Sequence, residues 1–173
     1  MSYAAVTKDA AQRRYRTFYG TVNSYNARIL IDMGDKYNHT LALFYCQNVP
    51  ESKEADRQAL EKKYGQQIRL FPIPCSGRLE PVHLLRSLEE FADAVYVITC
   101  PEGACRYFEG NSRAVKRVER TQAIIADIGL ERERVGIIMG SKDNPRSLAD
   151  LAGEILEKTS KIDPSPVLKK ACG

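Results

Sequence analysis

The chain lacks several features that would assign it to a function class directly. No apolar run approaches the ~20 residues that a membrane-spanning helix needs, and residues 1–16 contain no apolar signal-peptide core. The net charge of +4 is too small to indicate nucleic-acid binding. No glycine-rich phosphate fingerprint, catalytic triad or paired acid–base constellation is present. We therefore expect a cytoplasmic protein that has no membrane span, binds no nucleic acid and carries no catalytic residues of its own.

Cysteine is the residue type that is placed most regularly. Three apolar segments each end at a cysteine, and a fourth cysteine follows shortly after the third segment. They are Cys46 after Leu41–Tyr45, Cys75 after Ile68–Pro74, Cys100 after Ala94–Thr99, and then Cys105. Each segment is followed by a helical pattern, so the three segments are predicted to be parallel strands whose carboxyl ends share one edge of a sheet. The four cysteines are therefore expected to converge there.

From Leu41 onward the pattern alternates strand and helix. It predicts an α/β fold with a parallel sheet of about four strands flanked by helices on both faces, flavodoxin- or Rossmann-like. Pro72 places the second strand at a sheet end or edge, because proline cannot donate to a strand ladder. The next helix is expected to open with Pro81 in its first turn, a later one to be capped by Asn111 or Ser112, and the last to be capped by Asn144.

Three segments are expected along the chain: an N-terminal helical extension over 1–37, the α/β domain over 38–158 and a C-terminal tail over 159–173. In the extension, apolar residues recur at alternating spacings of four and three, which is the seam of a helix that packs on another helix. They are Ala11, Tyr15, Phe18, Val22, Tyr25 and Ile29. This helix either lies on its own domain or serves as a docking arm for a partner protein. The tail is expected to be mobile or to lie against a partner.

The four cysteines admit several chemistries. Thiolates hold iron–sulfur clusters, and they hold zinc in tetrahedral sites. A redox dithiol or inert buried thiols remain open too, although no Cys-x-x-Cys motif supports the redox site. Gly77 and Gly103 are expected to let backbone N–H groups approach cluster sulfurs. Cys172 lies in the tail and is not expected to be a ligand.

Other candidate residues have simpler explanations. His39 and His83 are expected to be packed or surface histidines rather than ligands. Four basic residues recur at helical spacing on one side of the predicted third helix, and such a stripe is usually a solvated face. They are Arg113, Lys116, Arg117 and Arg120. The alternative is that this stripe docks to an acidic partner.

Two motifs carry a resemblance to a known family. Cys75-Ser76-Gly77-Arg78 is followed later by Cys100-Pro101-Glu102-Gly103-Ala104-Cys105-Arg106-Tyr107-Phe108-Glu109-Gly110-Asn111. The pair resembles the C-S-G-R turn and the C-x-x-G-x-C-x-Y-x-x-G-N motif of methyl-viologen-reducing hydrogenase delta subunits, the MvhD/FlpD family. The resemblance extends from about Leu41 to Leu156. One departure is Val49, which stands where the family usually has a second cysteine, three residues after the first.

The resemblance implies a [2Fe–2S] electron-transfer subunit with Cys46, Cys75, Cys100 and Cys105 as the matched cysteines. Such a subunit has no turnover alone. It links a heterodisulfide-reductase-A-like flavoprotein to a partner oxidoreductase of the hydrogenase, formate dehydrogenase, methylenetetrahydrofolate reductase or benzoyl-CoA-reductase type, often in electron-bifurcating complexes. The alternative is a structural or scaffold subunit of such a complex whose cysteines hold zinc or nothing.

Overall fold

A four-stranded parallel sheet lies at the centre of the described part of the chain. The computed structural model describes residues 39–168. Within that range the strands are β1 (Leu41–Cys46), β2 (Ile68–Ile73), β3 (Ala94–Thr99) and β4 (Val135–Met139). All pairs are parallel and the order is β2-β1-β3-β4. This confirms the predicted α/β fold, and β2 lies at an edge, as Pro72 indicates. The predicted N-terminal helix falls outside the described residues.

Four α-helices between residues 39 and 168 cover the sheet. They are α1 (Glu54–Tyr64), α2 (Pro81–Glu90), α3 (Gly110–Asp127) and α4 (Leu148–Thr159). Leu41, Leu43 and Tyr45 pack in one buried cluster with residues of α1 and α4. The intervening Ala42 and Phe44 are also buried, and a strand turns alternate side chains to opposite faces. Helices α2 and α3 contact each other and the sheet, so the sheet is buried on both sides as predicted.

None of the helices between residues 39 and 168 has the length and apolar character that a membrane crossing requires.

Two helix starts differ from the sequence prediction. Helix α4 begins at Leu148 rather than at Asn144-Pro145, because Ser147 forms a capping box with Asp150. The Ser147 Oγ accepts the Asp150 N–H at 3.1 Å, and the Asp150 carboxylate accepts the Ser147 N–H at 3.2 Å. Helix α3 begins one residue earlier than Asn111, which lies within its first turn instead of capping it.

The segment after α4 is bound to the domain itself. The Ser165 N–H donates to Asp93 Oδ1 at 2.6 Å, and the other oxygen of Asp93 accepts the Thr40 N–H at 2.8 Å. Ser165 is buried. The expectation that the tail is mobile or lies against a partner is therefore wrong at Ser165, because one buried carboxylate connects it to the start of β1.

Candidate metal centre

The four predicted cysteines lie at the carboxyl edge of the sheet. Cys46 ends β1, Cys75 follows β2, Cys100 directly follows β3, and Cys105 lies in the loop before α3. The chain runs from β1 to β2 on one side and then crosses to β3 on the other. The point between β1 and β3 is thus the topological switch point at which open α/β sheets bind ligands. All four thiols are free.

The thiols interact with one another. Cys100 interacts with both Cys46 and Cys105, and Cys75 interacts with Cys105 and Cys46. Burial, reinforced by the neighbouring thiols, raises the pKa of Cys100 to about 12. Burial also raises the pKa of Cys75, although the Gly77 N–H opposes this rise. Both thiols hold their protons at neutral pH, because burial and the neighbouring sulfurs disfavour the charged thiolate.

Cys105 has the opposite electrostatic environment. Burial acts to raise its pKa, but hydrogen bonds from the backbone N–H groups of Tyr107, Gly110 and Asn111 together lower it. Two of these donors belong to the first turn of α3, where unpaired N–H groups favour a negative charge. Cys105 is also the only partly exposed member of the four cysteines. Its thiol therefore ionises more readily than those of Cys75 and Cys100, and it is the most exposed of the four cysteines.

Two glycines leave space that side chains would fill. A Cβ added to Gly110 would lie 2.3 Å from the Cys75 sulfur and 3.0 Å from the Cys105 sulfur. A Cβ added to Gly77 would lie 2.6 Å from the Gly110 Cα. The turn after Cys75 and the start of α3 therefore touch through their backbones, and both cysteine sulfurs lie against the same glycine.

Polar side chains fasten these loops together. The Asn111 amide donates to the Pro101 carbonyl at 2.9 Å, which ties the start of α3 to the end of β3. One guanidinium nitrogen of Arg117 donates to the carbonyls of Gly77 and Leu79, the latter at 3.0 Å. Its other terminal nitrogen pairs with Glu80 at 2.6 Å. Arg117 therefore holds the turn after Cys75 against α3 and does not belong to a solvated stripe.

Among residues 39–168, no three His, Cys, Asp or Glu side chains are arranged to hold a metal ion. The fit to a metal–sulfur group therefore rests on the chemistry of the donors and on the space around them. Thiolates are the usual ligands of iron–sulfur clusters, and backbone N–H groups commonly bond their sulfurs. The chain supplies both, with a glycine beside two of the sulfurs. The residues present fit a thiolate-held cluster.

Other residues singled out from the sequence lie in the core, at the start of a helix and before a strand. Val49 is buried in the apolar cluster between the sheet and α4. The His83 ring belongs to the first turn of α2, where its Nδ1 accepts the Glu80 N–H at 2.9 Å. His39 precedes β1 and lies at the opposite end of that strand from Cys46. Cys172 lies outside the described residues.

Gly103 and Gly110 have different surroundings. Among the described residues, only the Lys142 ammonium comes within 4 Å of a Cβ built on Gly103. Gly103 serves the turn through its positive φ of 65°. Gly110 is the glycine against the sulfurs, and sequence reasoning missed it along with Arg117. The signal for Gly110 was its place in the family motif, whereas nothing local marked Arg117.

Known proteins resemble part of this chain. It is 31% identical over 106 residues to an F420-non-reducing hydrogenase iron-sulfur subunit of Archaeoglobus profundus, covering 61% of this chain and 77% of that protein. It is 37% identical over 73 residues to a vhc-type F420-non-reducing hydrogenase iron-sulfur subunit of Methanococcus voltae, covering 42% of this chain and 51% of that one.

A third relative is much longer than this chain. One subunit of the ferredoxin:CoB-CoM heterodisulfide reductase of Methanosarcina mazei is 31% identical over 101 residues, which cover 58% of this chain and 13% of that protein. The matching segment is therefore one part of a larger polypeptide in that relative.

The family comparison covers most of the described structure. The family model described as "Methyl-viologen-reducing hydrogenase, delta subunit" matches residues 41–163. That range runs from the start of β1 to beyond α4, and it contains all four clustered cysteines. The chain belongs to the family of methyl-viologen-reducing hydrogenase delta subunits.

Proposed function

We propose that this protein is the electron-transfer subunit of an oxidoreductase complex and that it carries one [2Fe–2S] cluster on Cys46, Cys75, Cys100 and Cys105. The observation that carries the proposal is the convergence of four free, interacting thiols at the switch point of the sheet. Relatives named as iron–sulfur subunits support the type of cofactor.

The residues around the proposed cluster have distinct tasks. When bound, a cluster of this type accepts and gives one electron at a time. Cys75 and Cys100 hold protons in the metal-free protein, and these protons leave when the thiols become ligands. Burial of Cys46, Cys75 and Cys100 keeps water away. The partly exposed Cys105 lies beside Tyr107 and Phe108, which expose 57% and 90% of their surface, so electrons would enter or leave on this side.

The names of the relatives support two kinds of partner. We place the protein between a heterodisulfide-reductase-A-like flavoprotein and an oxidoreductase of hydrogenase type. The iron–sulfur relatives are named as hydrogenase subunits. In the heterodisulfide reductase relatives, the matching segment is part of one of the reductase polypeptides. This fusion supports contact between the present chain and a protein of that kind. The clustered free thiols favour the reducing cytoplasm as the compartment.

The first experiment measures iron, zinc and acid-labile sulfide in the anaerobically purified full chain, with EPR before and after dithionite reduction. We expect about two irons and two sulfides per chain and a paramagnetic signal that appears on reduction. Zinc without sulfide would instead support the scaffold role. Metal-free protein with a reversible disulfide would support a thiol-based oxidoreductase. Either result would overturn the proposal.

The ligand set is tested by substitution. Cys100→Ser should reduce the iron content to near zero, because serine replaces a soft thiolate poorly. Cys172→Ser is the matched control and should bind iron as the unmodified chain does. Full cluster occupancy in Cys100→Ser would remove Cys100 from the ligand set, and loss of iron in Cys172→Ser would add a residue that we have left out.

A further inference from the structure

The hydroxyl of Ser76 is buried without a partner. Ser76 has no exposed surface. Its Oγ is the only buried side-chain nitrogen or oxygen among residues 39–168 that makes no hydrogen bond. A buried hydroxyl without a partner costs free energy, and such groups in native proteins are rare enough to call for an explanation. The explanation has to lie in what surrounds Ser76.

Ser76 lies in the turn that brings the cysteine-bearing elements together. It follows Cys75 directly and opens the turn Ser76–Arg78. This turn contacts β1, β3 and α3. Strand β1 ends at Cys46, β3 leads into Cys100, and Cys105 precedes α3. The unpartnered hydroxyl is thus enclosed by the elements that carry the other three thiols.

Several backbone groups of the same turn have partners within the protein. The Ser76 carbonyl accepts the Leu79 N–H at 3.1 Å, and the Cys75 carbonyl accepts the Arg78 N–H at 3.0 Å. The Gly77 N–H donates to the Cys75 sulfur, and the Gly77 carbonyl accepts from Arg117. The buried side-chain hydroxyl of Ser76 has no such partner and is available to a ligand.

We propose that the Ser76 hydroxyl donates a hydrogen bond to a sulfur of the cluster and thereby raises its reduction potential. The inference rests on the proposed [2Fe–2S] function. A cluster sulfur is a negatively charged acceptor, and it gains further negative charge when the cluster takes up an electron. A donor therefore stabilises the reduced state more than the oxidised state, and hydrogen bonds to the sulfurs are one of the means by which proteins set cluster potentials.

The test is Ser76→Ala in the full chain, titrated anaerobically with redox mediators and followed by EPR. We expect unchanged iron and sulfide content. The equilibrium between oxidised and reduced cluster should shift about tenfold towards the oxidised form, which lowers the potential by ~59 mV for one electron. Pulsed EPR in H₂O and D₂O should show the loss of one exchangeable proton close to the cluster. Ser76→Thr keeps the hydroxyl and should stay near the unmodified potential.

Ser87→Ala is the matched control. Ser87 is also buried, but its hydroxyl already donates to the His83 carbonyl at 3.0 Å within α2. This variant should leave the potential and the proton signal unchanged. In the metal-free protein it should lower the folding equilibrium constant by up to about tenfold, whereas Ser76→Ala should leave that constant unchanged or raise it, because no bond is lost.

Two results would overturn the role of Ser76. One is an unchanged potential and proton signal in Ser76→Ala with the cluster fully bound. The other is a metal-free Ser76→Ala protein that is destabilised as much as Ser87→Ala, which would mean that the hydroxyl has a partner in the protein. A failure of the proposed function would give a different result, because the unmodified chain would then bind no iron and sulfide. That result would overturn both the [2Fe–2S] function and the role of Ser76.

Discussion

Gly110 is the position at which helix propensity and the site make opposite demands. It is the first residue of α3, where alanine would favour the helix by about 1 kcal/mol. Its φ is not in the positive range, so the backbone itself accepts a side chain. The Cys75 sulfur, however, occupies the space that a Cβ would need. Any destabilisation caused by a side chain at this position would therefore come from the clash with the cysteine sulfurs and not from the helix.

Gly110→Ala should keep the fold and lose the cluster. The added Cβ pushes the Cys75 and Cys105 sulfurs apart, and overpacking of this kind costs about 1–3 kcal/mol. We expect the iron content per chain to fall severalfold while the circular dichroism spectrum stays unchanged. Gly153→Ala in α4 is the control, because its Cβ would meet only the hydroxyl of Tyr64, at the end of α1, at 3.6 Å. A Gly110→Ala protein with full iron content would show that the sulfurs can move without loss of the site.

At the scale of elements, the sequence predicts best where the signal is local. The bounds of β2 and β3 agree with those expected from the apolar runs, because buried parallel strands are continuous apolar segments. The predicted start of α4 was wrong because two capping signals, Asn144-Pro145 and Ser147-x-x-Asp150, lie close together, and only the second forms. When two capping signals lie this close together, the sequence alone does not show which of them caps the helix.

In the candidate site, too, the sequence predicts the features that depend on local patterns and does not predict those that depend on distant contacts. Strand ends and the rule of the carboxyl edge predict, from the sequence alone, that four cysteines meet at one place. The role of Arg117 could not be predicted, because helical periodicity assigns it to a basic stripe and its acceptors lie about forty residues earlier in the chain. A contact between distant segments leaves no trace in the pattern of either segment.

Arg117→Lys should loosen the connection between the turn after Cys75 and α3. Arginine reaches two carbonyls and the Glu80 carboxylate with one planar group, which an ammonium cannot reproduce. We expect the free energy of unfolding to fall by about 1–3 kcal/mol in chemical denaturation. Arg113→Lys, in the exposed pair with Glu109, should change it by less than about 0.5 kcal/mol. If both substitutions changed the free energy of unfolding equally, Arg117 would not connect the turn after Cys75 to α3 as we infer.

For the whole molecule, the question is whether the fold depends on the cluster. The apolar core extends along the strands and continues into α1 and α4, and at the cysteine edge it includes Cys46 and Cys100. The carboxylate of Asp93 ties the tail to the start of β1 at the opposite edge. The Asp93 hydrogen bonds do not involve the thiols, and most members of the core are not cysteines. The sheet therefore has enough buried surface to form without metal.

Removal of the cluster should therefore lower stability without unfolding the protein. The metal-free chain is expected to unfold cooperatively on heating, with a circular dichroism spectrum like that of the loaded form. Because a cluster that binds only the folded state adds its binding free energy to stability, the loaded form should unfold at a higher temperature. Reconstitution with iron and sulfide should restore the difference in the unmodified chain but not in Cys100→Ser. A metal-free chain that is unfolded at room temperature would show instead that the cysteine edge nucleates the fold, as metal sites do in much smaller domains.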